Sequence, residues 1–254
     1  MNTDSFMPFL SELLFQSGEI IKPYFFNRNY SVDRKSDDSP VTKADKEAEE
    51  CIRKMIQKEF PHHGIIGEEF GQENEESEYT WVIDPIDGTK AFITGSPLFT
   101  TLVGLLYKGE PILGAIHQPI LGLRCIGNNT TTSLNGKTVH CRSTDRLEDA
   151  TVLASSIRTA DQYQNGEAFT KLAKKAGLFR TWGDGYGYLL VATGQADVML
   201  DPIMNPWDVL PVIPVIRGSG ARIGNWQGGE DHWNSSIAAT PALFDSVVKQ
   251  LNVA

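Results

Sequence analysis

The stretch 81-WVIDPIDGT-89 constrains the fold of this chain more than any other, because an apolar run ends there in two aspartates. The apolar pattern predicts a strand over residues 80–83. Pro85 removes a backbone donor, so it stops the strand from continuing regularly. We therefore expect Asp84 and Asp87 to face the same point at the carboxyl-terminal edge of the strand.

Two carboxylates at one point repel each other and raise one pKa, unless a cation lies between them. Hard oxygen ligands select Mg²⁺, which keeps several waters and binds through a few carboxylates plus a substrate phosphate. Gly88 tolerates a positive φ and lets the backbone approach a ligand closely. Residues 88–90 can also begin a helix whose free amides bind an anion. The plainer alternative is an aspartate-rich turn with a helix cap.

Two further acidic positions add to this pattern, one at the end of an apolar run and one at a predicted helix start. Glu68 and Glu69 come directly after a short apolar run and Gly67, and Asp208 follows Pro206 at a predicted helix start. Taken alone, adjacent acids usually form a solvated face, and Asp208 suits the first turn of a helix. Together with the two aspartates of the strand, Glu68 and Asp208 give four oxygen ligands, enough for a two-metal phosphate site.

The overall charge excludes some classes of partner. The formal net charge is −9, which argues against a nucleic-acid surface. Acidic, basic and proline residues interrupt the apolar stretch 6–26, so we expect neither a signal peptide nor a membrane span. The three cysteines fit no zinc motif and predict reduced thiols in a cytoplasmic protein. The five histidines, His232 among them, show no metal-ligand spacing and are expected to be structural or on the surface.

The first half of the chain predicts two helices and then a strand-rich, antiparallel region. Residues 6–25 carry apolar side chains at helical spacing, and residues 42–60 form a second helical pattern that starts at a cap-like Thr-x-x-Asp. Two β-rich runs, 98–107 and 112–119, flank a Lys-Gly-Glu-Pro hairpin signature. Asn135-Gly136 marks another tight turn.

After about residue 145 strands and helices alternate, which is typical of a βα-type sheet. Polar residues 31–41 and acidic residues 72–78 are expected to be loops. The predicted strands of the second half are 151–155, 178–182, 196–200, 221–223 and 237–239, and the predicted helices are 167–176, 186–193, 207–217 and one from residue 241.

Taken together, these motifs resemble the inositol monophosphatase family of Mg²⁺-dependent, lithium-sensitive phosphatases. The order and spacing of the matches extend over most of the chain. The matching residues are Thr42 and Asp45 of an upstream Thr-x-x-Asp, 67-GEE-69, 81-WVIDPIDGT-89 followed by Phe92, 192-ATGQAD-197 and 206-PWD-208.

The resemblance implies a layered αβαβα sandwich, an α+β or α/β architecture. We expect one catalytic domain over residues 1–254. Its sub-domains are expected at about 1–145, with helices and an antiparallel sheet, and 146–254, with alternating strands and helices. The family resemblance also implies a homodimer.

The resemblance implies Mg²⁺ as the cofactor and a role for each acidic residue. Glu68, Asp84 and the carbonyl of Ile86 would bind a first Mg²⁺, and Asp84, Asp87 and Asp208 a second. A third, weaker Mg²⁺ would contact Glu68 mainly through water. Such ions make a bound water more acidic and neutralise the phosphoryl oxygens.

The same resemblance assigns the phosphate and the attacking water to neighbouring residues. The amides of Gly88 and Thr89 would hold the phosphate. Thr89 and Asp45 would help to activate the water, with Glu68 nearby. Lys90 either adds positive charge beside the phosphate or is a solvated helix residue.

Three stretches bear on the identity of the ester and resemble the histidinol-phosphate phosphatase branch: Lys90 after DGT, 182-WGDGYG-187 and 201-DPIMNPWD-208. Histidinol phosphate carries an ammonium group, with which Asp184 and Asp201 would pair, whereas inositol phosphate presents hydroxyls. Asn205 would bind the amine or the imidazole ring. The alternatives are an inositol-1-phosphate or broad sugar-phosphate monophosphatase, and a non-catalytic metal-binding module.

Overall fold

Two β-sheets and the helices that cover them are seen in the computed structural model, which describes residues 3–27, 31–34, 40–231 and 233–252. The helices are α1 (Met7–Asn27), α2 (Lys43–Glu59), α3 (Thr89–Ile93), α4 (Ile157–Tyr163), α5 (Gly166–Lys175), α6 (Asp184–Ala192), α7 (Pro206–Val209), α8 (Val212–Gly218) and α9 (Pro241–Leu251). The strands are β1 (Val32–Arg34), β2 (Pro40–Thr42), β3 (Gly64–Gly67), β4 (Gly71–Glu73), β5 (Tyr79–Asp87), β6 (Thr100–Tyr107), β7 (Glu110–Gln118), β8 (Leu123–Gly127), β9 (Thr132–Leu134), β10 (Lys137–Thr138), β11 (Thr151–Ala154), β12 (Leu178–Arg180), β13 (Val198–Asp201), β14 (Arg222–Gly224) and β15 (Ser236–Ala239).

The two large sheets differ in the direction of their strands. The first has the order β10-β9-β8-β7-β6-β5-β3-β4, and its neighbours are antiparallel except for the parallel pair β3 and β5. The second has the order β12-β11-β13-β15-β14, in which β11 runs parallel to both β12 and β13. The predicted division near residue 145 falls between β10 and β11, and the sub-domain boundary itself stays a prediction.

Helices cover both faces of each sheet. Buried side chains of α6 and α8 pack between the two sheets, whereas α1 and α2 pack on the outer face of the first sheet. Helices α4, α5 and α9 pack on the outer face of the second. The predicted αβαβα sandwich is therefore confirmed. No helix in the part of the chain that the structure describes is long and apolar enough to cross a lipid bilayer.

Local sequence signals place several elements where they were predicted. At the start of α2 the Thr42 hydroxyl accepts from the amide of Ala44 at 3.2 Å, and Asp45 Oδ2 accepts from the amide of Thr42 at 2.8 Å. This capping box satisfies amides that the first helical turn leaves open. Both residues of the 135–136 turn have a positive φ, 50° and 78°, as a tight hairpin turn requires.

The structure corrects four of the predicted elements. The acidic segment 72–78 was expected to be a loop, but its first two residues belong to β4, which pairs with β3. Residues 31–41 were expected to be a loop, but β1 and β2 form an antiparallel pair there. The strand expected over 80–83 extends through Asp87 as β5. The helix expected over 207–217 is divided into α7 and α8 around Pro211, because proline inside a helix lacks the amide donor. Residues 35–39 and His232 lie outside the described residues.

A stacked aromatic cluster encloses His63 between α1, α2 and the first sheet. The ring of His63 lies 4.7 Å from that of Phe60 and 5.0 Å from that of Tyr79, both in stacked geometry. Trp81, which is fully buried, donates from Nε1 to His63 Nδ1 at 3.1 Å. Burial lowers the pKa of His63, because the ring would have to be charged inside this cluster. His63 Nδ1 must stay unprotonated to accept the bond from Trp81.

We predict that acidification weakens the fold through His63. The unfolded chain binds a proton at His63 near pH 6.5, while the folded state does so at lower pH. The stabilisation is therefore complete above pH 6.5 and is lost as the pH falls through the folded pKa. Between pH 7.5 and 5, the unfolding free energy of wild type, measured in urea, should fall relative to that of His63→Phe. His140→Gln, which changes an exposed histidine outside this cluster, should follow wild type. Parallel curves for wild type and His63→Phe would contradict the prediction.

Candidate active site

A β-bulge at the end of β5 brings Asp84 and Asp87 to the same side of the sheet. Residues three apart in a regular strand point to opposite faces. Here Pro85 and Ile86 together lie opposite the single residue Thr101 of β6, so one extra residue is inserted. The Thr101 hydroxyl donates to the carbonyl of Pro85 at 2.9 Å and fixes the bulge. Residue 85 thus redirects the strand without ending it.

Asp208, from the first turn of α7, completes a cluster of three carboxylates. Carboxylate oxygens of Asp84, Asp87 and Asp208 all lie within 4.8 Å of one another. Burial and then the charge of Glu68 raise the pKa of Asp84. Burial and then the charge of Asp184 raise the pKa of Asp87, and burial raises that of Asp208 to about 6. These carboxylates are ionised together only when a positive charge compensates them.

The donor set fits a hard divalent cation. Asp84 Oδ1 is buried and has no hydrogen-bond partner within the described part of the protein. A buried acceptor without a donor is costly, and a cation satisfies it. The ligand atoms are all oxygens, the chemistry that Mg²⁺ prefers.

The two other predicted metal ligands lie next to this cluster. Glu68 follows the end of β3, and its amide donates to the carbonyl of Ile83 on β5 at 3.2 Å. Its charge raises the pKa of Asp84, although Glu68 is not one of the three clustered carboxylates. The carbonyl of Ile86 lies in the bulge and accepts from the Thr89 hydroxyl at 3.1 Å.

Gly88 links the bulge to α3 in a conformation that other residues rarely adopt. Its φ is 85°, and a Cβ there would lie 2.9 Å from Asp184 Oδ2 and 3.3 Å from the carbonyl of Leu98. The hydrogen bonds of α3 begin with the amides of Ala91 and Phe92, which donate to the carbonyl of Gly88. The amides of residues 88–90 therefore lie outside the helical hydrogen bonds, as expected at a helix start.

The predicted partners Asp45 and Thr89 do not hydrogen bond to each other. Asp45 Oδ2 accepts from the amide and the hydroxyl of Thr42, at 2.8 and 2.6 Å. Asp45 Oδ1 is buried without a hydrogen-bond partner in the described residues, and burial raises the pKa of Asp45 to about 6. The Thr89 hydroxyl donates to Ile86 instead. Each side chain thus keeps an acceptor that a further group can use.

A hydrogen-bonded chain connects the two acids that were predicted to bind substrate. The amide of Asp184, which has a φ of 54°, donates to Ser155 Oγ at 2.9 Å. Ser155 Oγ in turn donates to Asp201 Oδ1, and the Tyr188 hydroxyl donates to Asp201 Oδ2 at 2.9 Å. Burial, then the charge of Asp184, raises the pKa of Asp201 to about 8. Both oxygens of Asp201 are therefore occupied.

Asn205 and Lys90 differ in their position relative to the cavity. Asn205 is exposed, and its amide and side-chain Nδ2 donate to Asp208 Oδ2 at 2.7 and 3.3 Å. It holds a carboxylate of the cluster and is not among the residues that line the cavity. Lys90 is exposed and does line it. Burial raises the pKa of Asp184, and the charge of Lys90 opposes part of that rise.

One cavity of about 580 Å³ joins the carboxylate cluster to these side chains. Sequence reasoning missed two of its features. Ser155 follows the apolar strand β11, the signal that identified Asp84, but was not singled out. The amide of Gly185 donates to Asp87 Oδ2, a contact between residues 98 positions apart for which the sequence holds no signal. The lining includes Asp87, Lys90, Leu98, Ser155, Thr181, Asp184, Asp201, Ile203, Met204 and Asp208.

We predict that the carboxylate cluster makes stability depend on divalent cations. At a Mg²⁺ concentration one hundred times the Kd, binding to the folded state stabilises it by about 2.7 kcal/mol. Thermal unfolding should therefore occur at higher temperature with Mg²⁺ than with EDTA. Asp84→Asn should lose this increase and, in EDTA, be as stable as wild type or more so, because repulsion in the cluster is relieved. Glu76→Gln, in the exposed acidic loop, should behave as wild type. An unchanged Mg²⁺ effect in Asp84→Asn would contradict the assignment.

Comparison with known proteins agrees with this geometry. The model of the inositol monophosphatase family matches residues 2–252. The chain is 41% identical to the chloroplastic bifunctional phosphatase IMPL2 of Arabidopsis thaliana, over 91% of this chain and 67% of that protein. It is 38% identical to a histidinol-phosphatase of Chlorobaculum parvum, over 85% of this chain and 84% of that protein. An inositol monophosphatase structure from Zymomonas mobilis superimposes with a TM-score of 0.88 at 32% identity and covers both chains completely. The chain therefore belongs to the inositol monophosphatase family of phosphatases.

Proposed function

We propose that this protein is a Mg²⁺-dependent phosphatase that hydrolyses L-histidinol phosphate to L-histidinol and phosphate. Membership of a phosphatase family supplies the reaction class. One observation carries the choice of ester. The acidic side chain of Asp184 lines the cavity directly beside Gly88, where the phosphate is expected. An ester with an ammonium group close to its phosphate suits this pair of features.

The relatives support the same ester. Three similar proteins are histidinol-phosphatases, from Chlorobaculum parvum, Mycobacterium tuberculosis and Streptomyces coelicolor, at 38%, 31% and 30% identity. Each aligns over at least 84% of its own length. We propose that the activity of those proteins extends to this chain.

Glu68, Asp84, Asp87, Asp208 and the carbonyl of Ile86 would hold two to three Mg²⁺ ions. Bound there, Mg²⁺ neutralises charge on the phosphoryl group and makes a water more acidic. The cluster contributes fixed negative oxygens whose mutual repulsion favours cation binding.

Residues around the bulge position the phosphate and the water. The amides of Gly88 and Thr89 lie at the start of α3 and would donate hydrogen bonds to the phosphoryl oxygens. Because the Thr89 hydroxyl donates to Ile86, its lone pairs remain able to accept a hydrogen bond from water. Asp45 Oδ1 can accept a proton, since only Oδ2 is used in the helix cap. The charge of Glu68 contributes to the raised pKa of Asp45, and we assign Glu68 a share in this role.

We assign the acidic residues of the cavity roles that differ from those predicted from the sequence. We assign the ammonium contact to Asp184. Both oxygens of Asp201 already accept hydrogen bonds, from Ser155 and Tyr188, and burial raises the pKa of Asp201 to about 8, so it is the poorer partner for a cation. Asp201 instead supports Asp184 through Ser155. Asn205 supports Asp208, and Lys90 adds positive charge at the phosphate end of the cavity.

The second candidate is an inositol-1-phosphate or broad sugar-phosphate monophosphatase that uses the same metal site. The superposition with the Zymomonas mobilis inositol monophosphatase favours it. Such esters present hydroxyl groups. A desolvated carboxylate binds a neutral hydroxyl group more weakly than it binds an ammonium group. Phosphate release from both esters separates the candidates, and a preference for inositol 1-phosphate would reject ours. Inactivity on every phosphomonoester would favour a metal-binding module.

We further propose a homodimer that works in the cytoplasm in histidine biosynthesis. The family resemblance supports the homodimer, and the proposed substrate supports the pathway. Light scattering should give twice the mass of the chain.

We predict that Asp184→Asn selectively impairs the cationic ester. Asparagine tolerates the positive φ of this residue, so the backbone should be kept. A hydrogen bond to a charged group contributes about 1.5–3 kcal/mol, which is roughly ten- to a hundredfold. We expect kcat/KM for histidinol phosphate to fall by this factor, while that for p-nitrophenyl phosphate, which has no ammonium group, changes little. Equal losses on both esters would remove Asp184 from substrate selection.

We predict that Asn205→Ala acts through Asp208 and therefore affects all esters alike. Removing Nδ2 leaves the backbone bond from residue 205, so the loss should be moderate. Activity on histidinol phosphate and on p-nitrophenyl phosphate should fall by the same factor, and higher Mg²⁺ should restore both. A loss confined to histidinol phosphate would instead place Asn205 in contact with the substrate.

A further inference from the structure

Glu49 is a fully buried carboxylate on α2 that has no place in the proposed chemistry. Its two oxygens accept from consecutive amides, that of Glu69 at 2.8 Å and that of Phe70 at 3.1 Å. These amides immediately follow Glu68, one of the proposed metal ligands. A helix and the segment after Glu68, twenty residues apart in sequence, are thereby joined through one side chain.

Arg53, one turn later on α2, completes the contact. Its Nε donates to Glu49 Oε1 at 2.8 Å, so the buried carboxylate has a counter-charge. Its two terminal nitrogens reach the same segment, one donating to the carbonyl of Gly71 and the other to Glu73 Oε1 at 2.9 Å. The planar guanidinium therefore joins residues 71 and 73 to the helix.

Gly67, the residue before Glu68, lies against the same ion pair. A Cβ at this position would lie 2.0 Å from Glu49 Oε1 and 2.7 Å from Arg53 Nη2. Real Cβ atoms essentially never approach a neighbour so closely. The Glu49 carboxylate therefore packs directly against the backbone of Gly67. Glu68 is thus held from both sides, while its own amide donates to Ile83 of β5.

We infer that Glu49 is a positioning residue that fixes the backbone of Glu68 and thereby sets the affinity of the metal site. This inference rests on the proposed function, because Glu68 is a metal ligand only within it. Outer groups that orient a ligand commonly change metal affinity by about ten- to a hundredfold when they are removed. Glu49 contacts the backbone next to Glu68 and touches neither metal nor substrate.

The chain offers a matched control for a change at Glu49. Asp197 is also fully buried, accepts from the amide of Thr151 at 2.7 Å and pairs with Arg142 at 3.1 Å. It directly precedes β13 of the second sheet and makes none of the site contacts described above. Asp197→Asn therefore tests what the loss of a buried, paired carboxylate does to the protein in general.

The experiment measures Mg²⁺ binding by calorimetry on the whole protein without substrate, and thermal unfolding confirms that each variant is folded. Glu49→Gln presents an amide N–H₂ where two backbone amides need acceptors, so we expect the Kd for Mg²⁺ to rise about tenfold. Arg53→Lys keeps the charge and loses the planar contacts, and is expected to raise the Kd in the same direction. It also tests the inference if Glu49→Gln does not fold. Asp197→Asn should leave the Kd unchanged.

A double variant separates positioning of Glu68 from general damage. In a Glu68→Gln background, Glu49→Gln should weaken Mg²⁺ no further, because its effect passes through the missing carboxylate. Additive losses would overturn the inference, as would a wild-type Kd in both Glu49→Gln and Arg53→Lys. If Glu68→Gln itself binds Mg²⁺ like wild type, the ligand assignment of the proposed function fails first. If only Glu68→Gln weakens binding, the inference alone fails.

Discussion

The repulsion among carboxylates gathered at one sheet edge is the constraint on which this structure depends. Asp84, Asp87 and Asp208 come from two distant parts of the chain, and burial makes their negative charges unfavourable together. The surrounding structure is arranged to keep them there. A bulge turns β5, the amide of Gly185 holds Asp87, and Asn205 holds Asp208. The three buried carboxylates thus lower the folding stability of the protein, and a bound cation offsets this cost.

Much of this fold follows from local signals in the sequence. The cap of α2 and the turn at 135–136 involve neighbouring residues whose side chains or φ angles leave few alternatives. The break between α7 and α8 follows from Pro211, although the apolar pattern hides it. The pairing of β1 with β2 had no such signal, because residues 31–41 are polar and short strands carry little periodicity.

The candidate site was predictable in its members but not in their contacts. Motif residues identify the acids, whereas the partner of each acid depends on chain segments that meet only in the folded state. Ser155 bonds to Asp201 across 46 positions, which leaves Asp201 without a free oxygen. Asn205 turns to Asp208, a neighbour that competes with any substrate for its side chain. Sequence patterns show which polar groups are present. The hydrogen bonds that these groups make in the folded state decide which of them remain free to bind a ligand.

The contact between Gly88 and Asp184 has a consequence for how such a protein can change over evolutionary time. Gly88, where we propose that the phosphate binds, and Asp184, the proposed partner of the rest of the ester, meet at one point, and Gly88 has no side chain there to alter. A shorter residue at 184 would open space without disturbing the backbone at 88. Under the proposed function, preference for the alcohol part of the ester can therefore change through residue 184, while the backbone at Gly88 is kept.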